Sequence, residues 1–214
     1  MRSKKAVFAK SILIEVEIRL GLLSFFKQND ALLKPLDQDA SGWINFNVST
    51  NHPSSRVGLS LFVGVLYSPI EDLVRRLCRQ PFPYGPTISV ALGYLTPEAR
   101  FLEWIFSPEI NTEEEIGKII LATKQYALPF MSKHTTLESI ITELEAKRYT
   151  VNDLRRFRLP AAYLLANQKE RSLELIKAEE NGLGARTDPA ALQFLDFAQA
   201  FTNHEPNPPA PLTH

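Results

Sequence analysis

The sequence predicts an α+β protein: an antiparallel sheet of four or five strands with helices on one face, followed by a helical C-terminal subdomain. Three observations carry this. First, Trp43 to Ser49 and Val57 to Val65 both alternate apolar and polar side chains, as strands do when one face lies on a core and the other faces away. Second, Ser68-Pro69-Ile70-Glu71 reads as a helix start, with a capping serine, proline at the first helical position and the glutamate of a capping box. Third, beyond Phe130 the apolar residues recur at helical spacing until about residue 202.

Residues 5–26 fit two patterns. Ile12, Ile14, Val16, Ile18 and Leu20 alternate like a strand, while Ala9, Ile12, Leu13, Val16, Leu20 and Leu23 form a helical stripe. More than twenty residues pass with only Gly21 as a breaker, and that length favours a helix. Ala31 to Leu36 reads as a short edge strand, because Pro35 is tolerated at a sheet edge. The turn Asp37 to Gly42 leads into the Trp43 strand, in which Ile44, Phe46 and Val48 share one face and Trp43, Asn45, Asn47 and Ser49 the other. In the partner strand Val57, Leu59, Leu61, Val63 and Val65 oppose Gly58, Ser60, Phe62 and Gly64. The loop between them, residues 50–56, is rich in turn formers.

A helix from Ser68 to about Cys78 buries Ile70, Leu73, Val74 and Leu77 at helical spacing. Three prolines between Gln80 and Pro86 then force a loop. Thr87 to Leu92 alternates again, with Ile88, Val90 and Leu92 inward and Thr87, Ser89 and Ala91 outward, and Phe101 to Ser107 reads as a further strand. Asn111 caps a helix whose first turn holds Glu113, Glu114 and Glu115, where the helix dipole favours acids. Ile116, Ile119, Ile120 and Thr123 give it a buried stripe, and Pro129 is expected to end it. Thr135-Thr136-Leu137-Glu138 opens the next helix. A short helix is expected around Val151 to Phe157, a longer one from Pro160 to about Asn181 stopped by Gly182 and Gly184, and a last one from Asp188-Pro189 with Leu192, Leu195 and Phe201 inward. The expected organisation is an α+β domain over residues 1–130, a helical subdomain over 131–202, and a proline-rich, disordered tail over 203–214.

Composition narrows the function classes. Lys+Arg and Asp+Glu both number 24, so the chain has no overall basic field to attract nucleic acid or anionic membrane. One cysteine forbids an internal disulfide, and one cysteine with four histidines supplies no zinc-ligand spacing; this suits a reducing cytoplasm. Met1 to Lys5 starts like a secretory signal, yet Lys10, Glu15 and Glu17 interrupt the apolar run, so the segment reads as part of the fold. No stretch reaches the roughly 20 apolar residues of a membrane span. The sequence carries no glycine-rich phosphate loop, nucleophile elbow or paired metal-binding histidines, and it implies no metal and no cofactor.

Three residue sets are candidates for a site. Trp43, Asn45, Asn47, Ser60, Phe62, Thr87 and Ser89 share one sheet surface if the three strands are neighbours; a tryptophan among small polar groups suits partner binding, unless the C-terminal helices cover it. Lys147, Arg148, Arg155, Arg156 and Arg158 lie on short helical segments that suit phosphate contacts, unless the arginines pair with Glu143, Glu145 or Glu170. His52 and Arg56, in a loop with Asn51, Ser54 and Ser55, suit an anion or a small hydrolase, although loops use the same residues as solvated turns. Cys78 near a helix C-terminus is a packing residue, since the dipole there opposes a thiolate.

The segments Gly42-Trp43-Ile44-Asn45-Phe46-Asn47, Val63-Gly64-Val65, Ile70-Glu71-Asp72-Leu73-Val74 and Leu92 to Arg100 resemble uncharacterised bacterial α+β proteins, some of them grouped with the immunity proteins of polymorphic toxins. The resemblance spans residues 6–149 and brings no catalytic residues. It supports a binding role, and with the absence of catalytic signatures and the candidate sheet face the expectation is a cytoplasmic, non-enzymatic interaction protein whose partner is a toxin or the product of a neighbouring gene. Nucleic-acid binding through residues 147–158 and a small hydrolase at residues 50–56 are the alternatives.

Overall fold

The computed structural model describes residues 4–52, 55–78, 81–83, 85–150 and 152–203. The chain is α+β, as its patterning predicts. A six-stranded antiparallel sheet comprises β1 (Phe26–Gln28), β2 (Ala31–Pro35), β3 (Ala40–Ser49), β4 (Val57–Tyr67), β5 (Ile88–Ala91) and β6 (Trp104–Phe106). The order runs β1-β2-β3-β4-β5, and β6 pairs with the start of β4 where β5 does not reach. Trp43 lies opposite Leu33 and Gly64, and Asn45 opposite Phe62, so β3, β4 and β5 are neighbours in the register that alternation implies. β2 is not an edge. The three-residue β1 lies outside it, too short to have been visible in the pattern.

Among the described residues lie helices α1 (Lys4–Gly21), α2 (Ser68–Leu77), α3 (Thr112–Ala122), α4 (Leu128–Lys133), α5 (Leu137–Glu145), α6 (Asn152–Leu165), α7 (Lys169–Leu183) and α8 (Pro189–Thr202), and a 3-10 turn, Leu92–Leu95, takes Leu92 out of the strand expected to include it. One apolar core runs from Ala9 and Val16 of α1 through Ile44, Leu61 and Val63 of the sheet to Phe157, Phe194 and Phe197 of the C-terminal helices. Residues 131–202 therefore pack into the same core as the sheet. Gly42 is the point of closest approach: a Cβ there would lie 2.7 Å from the Met131 sulfur, so the absent side chain lets α4 settle on β3.

Several boundaries differ from expectation for physical reasons. Proline 129 does not end a helix. The backbone passes from α3 through a π-helical turn, Thr123–Ala127, in which the Leu128 N–H bonds to the Thr123 carbonyl, and Pro129 then occupies the first turn of α4, where no N–H is needed. Pro160 sits inside α6 rather than opening a helix, and the break falls after Leu165, where Asn167 adopts φ 59°. Glu71 forms no capping box; Tyr67 occupies the cap position of α2 without a side-chain bond, and the Glu71 carboxylate turns inward. Leu192 is exposed, and Phe194 and Phe197 take the core positions of α8. Asn111 and Asp188 cap α3 and α8 as expected, accepting from Glu113 N at 3.1 Å and Ala191 N at 3.2 Å. The expected tail lies outside the described residues from 204 onward.

Candidate interaction surface

The sheet face proposed for partner binding is assembled but largely closed. Trp43 is only 9% exposed and packs with Ala31, Leu33 and Phe62 in a small cluster separate from the main core. Those contacts come from β2, β3 and β4 themselves rather than from the C-terminal helices. Ser60 and Thr87 are buried as well, so the expectation that Thr87 faces outward fails. The Thr87 hydroxyl accepts from Tyr67 N at 2.9 Å and donates to Glu71 Oε1 at 2.9 Å. The Asn45 side chain accepts from the neighbouring Phe46 N. Ser89 is half-buried, its N–H bonding to the Tyr149 carbonyl at 2.6 Å. Asn47 alone of the seven is exposed.

The basic segment is knitted into the fold. Arg158, 2% exposed, lies with Nε 2.8 Å from Glu71 Oε1, and donates from Nη2 to Oε2 at 3.1 Å and from Nη1 to the Thr87 carbonyl at 3.3 Å. This joins α6 to α2 and withdraws Arg158 from any phosphate. Arg156 donates to the Ala190 carbonyl and stacks over the Phe157 and Phe194 rings, and Arg155 donates to the Leu144 carbonyl. Arg148 grips Glu143, which also faces the buried His134 ring at 3.2 Å. The Glu143 pairing is among those the sequence offered, whereas Glu145 takes Arg171 and Tyr163 instead. Lys147 is exposed.

His52 is directed at Glu103, a residue sequence reasoning missed, with Nε2 2.9 Å from Oε2, an ion-pair distance without an aligned hydrogen bond. Lys5 donates to the His52 carbonyl at 2.7 Å, which ties the β3–β4 loop to α1. Gly58 lies beneath the pair, and a Cβ there would collide with the Glu103 carboxylate and approach His52 Nε2 to 2.6 Å. The Arg56 charge acts on Glu109, whose carboxyl is held below its ordinary range by a Ser107 hydrogen bond and its own backbone N–H first. Cys78 is a buried free thiol, pushed up to about 11 by burial, which suits packing and not nucleophilic attack. Among the described residues no group of His, Cys, Asp or Glu could hold a metal ion, and no helix is long and apolar enough to cross a membrane.

The outer side of α1 carries a row of exposed apolar side chains. Ala9, Ile12, Val16 and Leu20 are buried, yet Val7, Ile14 and Ile18 point the other way, and Leu22 in the turn just after the helix is open too, Ile18 being 57% and Leu22 78% exposed. Phe26 of β1 and Leu121 of α3 are also about half exposed. Leu22 and Leu121 line one open groove of about 370 Å³ between α1 and α3, with Ile116, Ile120, Arg19 and Lys124. The rim is polar: Arg19 bridges Glu15 at 3.1 Å and Glu113 at 2.6 Å, and Lys27 bridges Glu17 at 2.7 Å. Those carboxylates raise the Arg19 pKa, with the Glu113 hydrogen bond the largest cause. An apolar strip with a charged rim is the composition of a protein-binding surface. Its signal in the sequence is the double pattern of residues 5–26, since a helix whose residues also alternate is apolar on two opposite sides. Compared with protein-family models, curated proteins and solved structures, the chain matches none.

Proposed function

We propose that this protein is an interaction protein that acts by binding other polypeptides, with the outer side of α1 as a docking face. The observation that carries the reading is the exposed row Val7, Ile14, Ile18 and Leu22, continuous through Leu22 with the groove beside α3. Soluble monomers rarely leave such contiguous apolar surface open, and large exposed patches mark binding sites. Neutralising a toxin by covering its active site, as immunity proteins do, is the form of this function that the resemblance favours. A cytoplasmic setting is part of this reading, supported by a single cysteine that is buried as a free thiol. The alternatives draw less from the geometry, because Arg148, Arg155, Arg156 and Arg158 are held by partners inside the chain. The test is co-purification with the products of neighbouring genes, scored together with relief of their toxicity. A bound neighbour whose toxicity is relieved is the expected result; a chain that binds no neighbour and relieves no toxicity contradicts the immunity reading.

A further inference from the structure

No further inference is drawn: the strongest candidate, the exposed apolar side of α1 with the groove it shares with α3, belongs to the docking face already described, and nothing in the structure shows what covers it.

Discussion

Arg158 shows how a single side chain changes role once the chain is folded. In the sequence it sits in a run of five cations and one acid, where phosphate contact and a solvated face were both open readings. In the structure its guanidinium and the Glu71 carboxylate are both sealed from solvent, with Thr87 sharing the carboxylate. The attraction between them offsets a large desolvation cost, so removing one partner strands a charge. Arg158→Ala is expected to destabilise the protein by about 3–5 kcal/mol, and Glu71→Leu/Arg158→Met to recover much of that, measured by urea denaturation. A loss below about 1 kcal/mol for Arg158→Ala would mean that the pair is hydrated in solution. The pairing partner was not legible from local sequence, because 87 residues separate the two.

At the scale of elements, local chemistry was readable and tertiary demand was not. The alternation of β3 and β4, the Asn111 and Asp188 caps, and the Gly184 stop of α7 at φ 56° all follow from rules that act within a few residues. Asn111→Ala is expected to cost about 1 kcal/mol and Asn111→Asp almost nothing, read from thermal melts. Equal losses in both would show that Asn111 acts through a contact other than its two bonds to Glu113 N and Glu114 N. Pro129 and Pro160 were misread because proline breaks a helix only where an N–H is required of it. A π-helical turn before Pro129 removes that requirement, and packing holds α6 together around Pro160. β1 was missed because three exposed residues carry no period. The docking face was half legible. Ile14 and Ile18 stood in the sequence within the alternation that competed with the helical stripe, whereas Val7 and Leu22 did not, and only burial reveals which of two apolar sides a core claims.

One main core joins the two ends of the chain. Aromatic rings of α6 and α8 meet edge-to-face, with Phe157 and Phe197 centroids 5.0 Å apart, and Phe82 from the loop after α2 joins them at 5.3 Å. The two segments read from sequence as an α+β domain and a helical subdomain thus share contacts that neither completes alone. Unfolding is expected to be a single transition, with tryptophan fluorescence from Trp43 and Trp104 coinciding with the far-ultraviolet helical signal. Both tryptophans belong to the sheet region, whereas much of the helix lies after residue 130. Two separated midpoints would establish residues 131–202 as an independent unit.

The bond between Glu71 and Arg158 also sets a timetable for the newborn chain. Translation at about 5–20 residues per second leaves roughly 4–17 seconds between the synthesis of the carboxylate and that of its guanidinium. During that interval α2 and the sheet beside it carry an inward-facing acid with no cation to answer it. The interior beside α2 therefore closes only once the third quarter of the chain has been made.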